Sequence, residues 1–457
     1  MRKKLFGTDG IRGVVGQYPL TEDIVLRLGM AIGESVRENG MKNVIIGKDT
    51  RSSCQMLQKL LVYGILSKGQ EIIDVGVVPT PAVAVLTKRV QAGMGIMISA
   101  SHNQVEDNGI KLFSENGYKV SDTVENRIEE FIYQGLSDDR KDACPTGIDG
   151  FKKDIEGVQK ENSMEIYLSF VKGILEKRLN LEGMKAVIDC ANGSVSGIVS
   201  PLFESLGLEV ITINDEPDGS NINLNCGSSM PSVVREEVLR HRADMGISFD
   251  GDGDRVVMVD NEGEILDGDH LMAIIGIDLI QRNKLAKNTV VATVMSNLGL
   301  DEAIGRSKGK VIRSEVGDKH VMKKLLDNGL IFGGEPSGHI VFLDYNTTAD
   351  ALITSLKLLE IINRSGRTLK ELSTCIEKYP QVLINVPVKV NTMPIHDSPE
   401  ILNAIDESKN RLGEISNILI RYSGTEPVVR VMVEGRNTED VEGEASKLAG
   451  VVREVLG

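Results

Sequence analysis

The sequence predicts an α/β protein with three similar α/β domains followed by a smaller α+β domain. Its 457 residues suffice for about three domains at roughly 150 residues each. Short apolar runs alternate with longer amphipathic patterns through most of the chain, as in sheets that are covered by helices on both faces. After residue 368 apolar and polar residues alternate more regularly, which indicates a different type of domain.

The first block of the chain shows this alternation most clearly. Residues 22–39 place Val25, Leu28, Ile32 and Val36 on one helical face, which predicts an amphipathic helix. The other predicted elements here are buried strands at 43–47, 71–76 and 95–99 and a helix at 56–68.

The alternation begins again in two later blocks, and the last part of the chain has its own pattern. The later blocks predict strands at 185–189, 209–213, 245–249, 255–260, 290–294 and 310–313 and helices at 199–206 and 271–281. The last part predicts strands at 383–390, 418–421 and 428–434 and a helix at 440–456. A polar stretch at 137–149 is a predicted linker, and the resulting domains are 1–155, 156–254, 255–368 and 369–457.

Charge and composition limit the partners of this chain. With 66 acidic and 52 basic residues its formal net charge is -14, which disfavours binding to nucleic acid but not a small anionic substrate. No apolar run approaches the roughly 20 residues that span a bilayer, and no signal peptide is visible. The five cysteines are scattered without CxxC spacing, as in reduced proteins. We therefore expect a cytoplasmic monomer or homodimer with a small-molecule substrate and no membrane partner.

The segment S-A-S-H-N at residues 99–103 is a candidate nucleophile loop. It follows the predicted strand 95–99, at the strand end where ligands of open α/β sheets bind. The hydroxyl of Ser101 could act as a nucleophile there, with His102 beside it as a donor to an anion. The alternative is that Ser101 only turns the chain. Ser101 does not lie in a Gly-x-Ser-x-Gly elbow, which argues against a hydrolase.

The segment D-G-D-G-D-R at residues 250–255 is a candidate metal site. Asp250, Asp252 and Asp254 alternate with glycines, so their carboxylates can converge, and such a cluster needs a cation such as Mg²⁺ or Ca²⁺. An EF-hand loop is excluded because Met258 and Asn261 occupy its ninth and twelfth positions. The alternative is a solvated acidic turn, which the apolar flanks disfavour.

The segment G-G-E-P-S-G-H at residues 333–339 is a candidate sugar-binding loop. Glu335, Ser337 and His339 occupy alternate positions, so they can face the same way and bind hydroxyl groups. The alternative is a tight turn between two apolar runs.

The segment R-Y-S-G-T-E-P at residues 421–427, followed by Arg430, is a candidate phosphate cradle. Guanidinium groups, hydroxyls and glycine-exposed backbone are the groups that bind phosphate. The alternative is a hairpin turn with exposed arginines.

Three isolated cations lie near these loops: Arg12, Arg51 and Lys111. Lys111 follows Ser101 closely and could lose its proton if it is partly buried. For each of the three, a solvated surface position is the alternative.

Together the four loops supply a serine, a metal site, a sugar-like loop and a phosphate cradle on separate segments, as in a cleft between domains. This combination suits metal-assisted phosphoryl transfer to and from a sugar phosphate. A non-catalytic phosphosugar-binding protein is the alternative from another class, but it would need no nucleophile.

Over essentially its whole length the sequence resembles the α-D-phosphohexomutase superfamily, with the four loops in order. Further segments resemble its members that act on glucosamine phosphates, namely residues 6–13, 98–103, 107–111, 219–227, 295–297, 316–318 and 342–348. The resemblance implies a four-domain phosphohexomutase-like architecture with mixed sheets in the three α/β domains.

The resemblance also implies an activity. Ser101 would carry a phosphate in the resting enzyme, and Asp250, Asp252 and Asp254 would hold one Mg²⁺ together with that phosphate. The phosphate would pass to glucosamine 6-phosphate, giving glucosamine 1,6-bisphosphate as the intermediate. Return of the other phosphate would leave glucosamine 1-phosphate, which feeds UDP-N-acetylglucosamine synthesis.

Roles for the remaining residues follow from the same resemblance. Lys111 would be the general base, helped by His102 and Arg12. Substrate-binding residues would be Arg255, Glu335, Ser337 and His339 for the sugar and Arg421, Ser423, Gly424, Thr425 and Arg430 for the phosphate that is not transferred. Because Pro336 is unusual in the sugar loop, members that act on glucose or mannose phosphates by the same mechanism remain the alternative.

Overall fold

A computed structural model describes residues 4–137, 158–160, 163–177, 179–388, 394–423 and 428–457. Within these residues the chain forms four sheets with their own helices, which confirms the predicted α/β architecture with a smaller last domain. The predicted linker lies, beyond Ser137, outside the described residues. No helix among the described residues is long and apolar enough to cross a membrane.

The first domain contains a six-stranded mixed sheet. Its elements are β1 (Ile11–Val14), α1 (Glu22–Glu38), β2 (Asn43–Lys48), α2 (Cys54–Leu66), β3 (Glu71–Val77), α3 (Thr80–Arg89), β4 (Met94–Ile98), β5 (Asp107–Ser114), α4 (Asp122–Ser137) and β6 (Val158–Lys160). The strand order is β1-β5-β4-β2-β3-β6, in which β5 runs antiparallel to both neighbours and the other pairs are parallel. Because β6 pairs with β3, residues 158–160 belong to this sheet rather than to the second domain.

The second domain contains a five-stranded mixed sheet in the order β11-β10-β9-β7-β8. Its elements are α5 (Ser163–Gly173), β7 (Lys185–Asp189), α6 (Val199–Glu204), β8 (Glu209–Ile213), α7 (Pro231–His241), β9 (Met245–Phe249), β10 (Val256–Asp260) and β11 (Ile265–Leu266). Residues 255–260 were expected at the beginning of the third domain. Instead, β10 is antiparallel to β9 over its full length, because the acidic segment between them is a turn. A boundary after residue 254 would cut this hairpin.

The third domain contains a four-stranded sheet in the order β13-β12-β14-β15, in which only β15 is antiparallel. Its elements are α8 (Gly268–Gln281), β12 (Thr289–Thr293), α9 (Leu298–Arg306), β13 (Lys310–Ser314), α10 (Asp318–Asn328), β14 (Phe332–Gly334), β15 (Ile340–Phe342), α11 (Ala351–Ser365) and α12 (Leu369–Ser373), with a short 3₁₀ turn at Ala286–Asn288. Helix α12 begins where the last domain was expected. However, Leu369 and Leu372 lie in the same core cluster as Leu271 of α8, so the helix packs with the third domain.

The last domain contains a three-stranded antiparallel sheet in the order β16-β18-β17. Its elements are β16 (Gln381–Pro387), a 3₁₀ turn at Ile395–Asp397, α13 (Pro399–Leu412), β17 (Ser416–Tyr422), β18 (Val428–Gly435) and α14 (Thr438–Leu456). Helix α13 was not predicted. The sequence does contain start signals for this helix, namely a serine at the N-cap and a proline at the first helical position. In the structure the Ser398 side chain accepts a hydrogen bond from Ile401 N.

The first three domains share a hydrophobic core cluster, whereas the described residues of the last domain do not take part in it. One core cluster joins residues of the first three domains, including Met97, Phe249 and Phe332. The last domain has a separate core, to which Val431 and Leu448 belong. The last domain is therefore the unit that can move with the smallest loss of apolar burial.

Candidate active site

Ser101 lies in the turn that follows β4, at the carboxyl end of the first sheet. Its φ of 56° is in the left-handed region, and its side chain is buried. Its backbone N donates to Ser99 Oγ at 2.9 Å, and its Oγ donates to Asp250 Oδ2 at 2.7 Å. A strained backbone that holds a hydroxyl against a carboxylate of another domain is typical of a functional site. The predicted nucleophile and the predicted metal loop therefore meet.

Arg51 and Asn223 hold the serine loop in place by donating to its carbonyl groups. Arg51 Nη2 donates to Ser101 O at 3.1 Å and to Asn103 O at 2.9 Å, and Asp49 anchors the guanidinium at 3.0 Å. Asn223 Nδ2 donates to the same two carbonyl oxygens at 2.8 and 3.1 Å. Arg51 is only 2% exposed, which excludes the solvated position. Sequence reasoning did not assign a role to Asn223, although it lies in the 219–227 segment.

The acidic triplet forms a compact buried cluster. Asp250, Asp252 and Asp254 are 0–2% exposed, and their nearest carboxylate atoms lie within 4.8 Å of one another. Burial raises the pKa of Asp250 well above its ordinary value, and the charges of Asp254 and Asp252 raise it further. Asp252 Oδ1 is buried without a hydrogen-bond partner among the described residues. An unpaired carboxylate oxygen within three converging carboxylates fits a divalent cation.

Gly251 allows the triplet to approach the serine loop. A Cβ atom at this position would lie 2.8 Å from Ser101 O, so any larger residue would separate the two loops. This explains why glycine separates the first two carboxylates.

Lys111 lies on β5 with its ammonium group against the triplet. Its Nζ is 2.7 Å from Asp252 Oδ2, 3.1 Å from Asp254 Oδ2 and 3.2 Å from Asp9 Oδ2. Burial lowers the pKa of Lys111, as the sequence analysis expected, but these three carboxylates outweigh burial and raise it well above its ordinary value. In this arrangement Lys111 therefore holds its proton.

His102 and Arg12 both contact the serine loop. His102 Nδ1 is 3.4 Å from Ser101 Oγ. Burial, followed by the charges of Arg255 and Arg12, lowers the pKa of His102 to about 3, so the imidazole is neutral at pH 7. Arg12 Nη1 donates to Ala100 O at 3.1 Å, and its guanidinium also pairs with Asp9. Both residues therefore lie within reach of the serine loop.

The sugar-binding loop meets the metal loop through Arg255 and His339. The two residues form a backbone bridge, and His339 Nδ1 lies 3.5 Å from Asp254 Oδ1. Glu335 Oε1 accepts a hydrogen bond from Gly317 N at 3.0 Å, and Ser337 Oγ donates to Glu335 Oε2 at 3.4 Å. The loop therefore presents an acceptor and a donor next to the acidic triplet.

The phosphate cradle contains two arginines on neighbouring strands. Arg421 on β17 lies directly opposite Arg430 on β18, an arrangement that is unfavourable for like charges unless an anion binds. Burial lowers the pKa of Arg421, and Arg430 lowers it further, whereas Glu335 opposes this shift. Ser423 directly follows β17, whereas Gly424 and Thr425 lie outside the described residues.

A cavity of about 1110 Å³ lies between the first and third domains beside His339. Lys119 lies in its wall and forms ion pairs with Asp9 of the first domain and Asp318 of the third. Sequence reasoning did not assign these three residues, because nothing local indicates that they meet.

Family comparisons cover four regions of the chain. The matches are phosphoglucomutase/phosphomannomutase alpha/beta/alpha domain I at residues 3–138, domain II at 165–263, domain III at 267–379 and the C-terminal domain at 383–451.

Individual proteins and structures show the same likeness. The chain is 44% identical to a phosphoglucosamine mutase of Geobacter metallireducens over 100% of this chain and 99% of the relative. It is also 44% identical to a phosphoglucosamine mutase of Alkaliphilus metalliredigens over 99% of this chain and 100% of the relative. Among solved structures, a phosphoglucomutase/phosphomannomutase family protein from Burkholderia thailandensis superposes with a TM-score of 0.79 at 22% identity, covering 100% and 98% of the two chains. N-acetylphosphoglucosamine mutase of Aspergillus fumigatus, in complex with GlcNAc-6P and magnesium, gives 0.66 at 18% identity, covering 99% and 96%. These two structures support the fold.

Proposed function

We propose that this chain, which belongs to the phosphoglucomutase/phosphomannomutase family, interconverts glucosamine 6-phosphate and glucosamine 1-phosphate. The superfamily predicted from the four loops is confirmed by these matches. The activity is that of an isomerase acting by intramolecular phosphotransfer. The observation that carries the proposal is the hydrogen bond between Ser101 Oγ and Asp250, which unites the nucleophile with the metal loop. The choice of glucosamine phosphate is supported by relatives of that name along the full chain.

The reaction begins from Ser101 carrying a phosphate. The free hydroxyl oxygen of the sugar phosphate attacks phosphorus, and the bond between phosphorus and Ser101 Oγ breaks, which gives glucosamine 1,6-bisphosphate. The proton of the sugar hydroxyl leaves and a proton is added to Ser101 Oγ, so the exchange balances. Because Lys111 holds its proton beside the triplet, it does not begin as the general base that the resemblance implies. It would instead give that proton to Ser101 Oγ as the bond breaks and then take up the proton of the sugar hydroxyl. After the bisphosphate reorients, the same steps in reverse return its other phosphate to Ser101.

The charge of the transferring group is offset by cations around Ser101. Asp250, Asp252 and Asp254 would hold Mg²⁺, which would supply Lewis-acid neutralisation of charge on the phosphoryl oxygens. Arg12 and the neutral His102 lie at the serine loop, where they would donate to the same oxygens.

The sugar and the second phosphate bind on the other two loops. Glu335 and Ser337 would bind ring hydroxyls, with Arg255 and His339 between them and the triplet. Arg421 and Arg430, with Ser423, Gly424 and Thr425, would bind the phosphate that is not transferred. The facing guanidinium groups support this role, because bidentate hydrogen bonds make arginine suited to phosphate.

Mass spectrometry of freshly purified protein tests the covalent step. We expect a phosphate on the peptide that contains Ser101, and its loss in Ser101→Ala together with mutase activity. Full mutase activity in Ser101→Ala would rule out the covalent mechanism.

Comparison of substrates tests the sugar. Turnover should be greatest with glucosamine 6-phosphate, compared with glucose 1-phosphate and mannose 1-phosphate. A clear preference for the neutral sugars, which Pro336 in the sugar loop would then explain, would overturn the substrate assignment but not the mechanism.

A further inference from the structure

The last domain is attached to the third domain through the loop between β12 and α9, residues 294–298, which we call the seat loop. This loop contains the segment 295–297, to which no role was assigned. Besides its contacts within the third domain, it forms hydrogen bonds with residues 379–381, which lead into the last domain, and with β17 and β18.

Glu434 on β18 makes the most deeply buried of these contacts. Its side chain is 0% exposed, and its Oε1 accepts a hydrogen bond from Leu298 N at 2.7 Å. Leu298 is the first residue of α9, so the carboxylate lies where the helix dipole favours a negative charge. Arg430 lies four positions earlier on the same strand and therefore on the same side of the sheet. Glu434 is thus rigidly connected to the phosphate cradle.

Asn297 fixes the connecting segment to the same point. Its Nδ2 donates to Tyr379 O and its Oδ1 accepts from Tyr379 N, both at 2.9 Å. Its backbone N donates to Asp269 Oδ2 at 2.9 Å, which ties the seat loop to α8. The fit is tight, because a Cβ atom at Gly299 would lie 2.1 Å from Glu377 O.

Two longer hydrogen bonds add to the attachment. Gln381 Nε2 donates to Met295 O at 3.2 Å, and Asn417 Nδ2 of β17 donates to Val294 O at 3.3 Å. Since the last domain has a core of its own, these directional contacts, rather than a continuous apolar core, determine its orientation.

We infer that Glu434 is a positioning residue for phosphate binding: by holding Leu298 N, it sets the orientation in which the last domain presents Arg421 and Arg430 to the acidic triplet. The inference rests on the proposed role of these arginines. The last domain would then pivot about the seat loop.

Steady-state kinetics of Glu434→Ala provides the first test. Loss of the acceptor should raise KM for the sugar phosphate about tenfold and change kcat less than about threefold, because binding is lost while the reacting groups stay in place. Glu434→Gln should restore most of the KM, since its amide oxygen can still accept from Leu298 N. The matched control is Glu444→Gln, which changes a buried carboxylate whose partners Ser408, Arg411 and Lys447 all belong to the last domain. A KM in Glu434→Ala equal to that of the wild type or of the control would overturn the inference.

A steric variant tests the contact between the seat loop and the connecting segment without removing any hydrogen-bonding group. Gly299→Ala places a methyl group against the connecting segment, whereas Gly305→Ala on the same helix meets nothing within 4 Å. We expect a raised KM in the first and wild-type KM in the second. Equal KM values would contradict the proposed seat.

Hydrogen exchange of the substrate-free protein separates this inference from the proposed function. The amide of Leu298 should exchange at least about tenfold faster in Glu434→Ala than in Glu444→Gln. If Leu298 exchanges faster in Glu434→Ala while the wild type fails to act on glucosamine phosphates, the substrate assignment is wrong and the positioning role of Glu434 is retained. If exchange at Leu298 is the same in both variants, the positioning role of Glu434 is wrong whatever the substrate is.

Discussion

Replacing Asp252 by Asn removes one of the three negative charges from the acidic triplet with almost no change in side-chain volume. Asp252 is fully buried, and the ligand atoms of the triplet lie within 4.8 Å of one another. Two unit charges about 4 Å apart interact by about 4 kcal/mol at an effective dielectric constant of about 20. Relief of repulsion from Asp250 and Asp254 offsets part of this loss. We therefore expect the Mg²⁺ concentration for half-maximal rate to rise about 10²-fold to 10³-fold.

The assay is the mutase rate as a function of Mg²⁺ concentration. Asp260→Asn is the matched control, because Asp260 is a buried carboxylate at the other end of β10 that, among the described residues, accepts backbone hydrogen bonds from Glu262 N and Glu264 N. This control should leave the Mg²⁺ dependence unchanged. An unchanged rate and Mg²⁺ dependence in Asp252→Asn would mean that the triplet is only a turn.

Three further variants test other parts of the molecule. Burial raises the pKa of Asp350 from 3.8 to about 6, so ionisation of this carboxyl destabilises the fold by an amount that is absent below about pH 4 and complete above about pH 6. Between acid and neutral pH, urea unfolding should therefore show the wild type losing about 3 kcal/mol of unfolding free energy relative to Asp350→Asn. Parallel pH profiles of the two proteins would refute this. Arg51→Lys should lower phosphate occupancy at Ser101 about tenfold by peptide mass spectrometry, because the compact ammonium of lysine cannot span the positions that the planar guanidinium reaches; full occupancy would contradict this role. Arg421→Met should raise KM about 10-fold to 100-fold, whereas Arg411→Met, on the outer face of the same domain, should not, and equal KM values would exclude Arg421 from phosphate binding.

The composition of the site was predictable because each loop has a local signature. The spacing of Asp250, Asp252 and Asp254 between glycines already indicates converging carboxylates, and Ser101 follows a readily recognised buried strand. Strands with strong apolar runs, such as β9, were placed correctly for the same reason. The pairing of β10 was missed, because an apolar run alone does not show whether a strand continues one sheet or begins the next.

The sequence by itself determined which chemical groups this protein has at the carboxyl ends of its strands, since glycines, charges and hydroxyls in a short loop act through their neighbours along the chain. Only the tertiary structure decided which distant groups support them. Arg51 and Asn223 meet at Ser101 O although 50 and 122 residues separate them from it in the chain. Glu434 reaches the first amide of α9 across 136 residues. Such contacts depend on how separately folded units dock, and no local pattern of residues encodes that geometry.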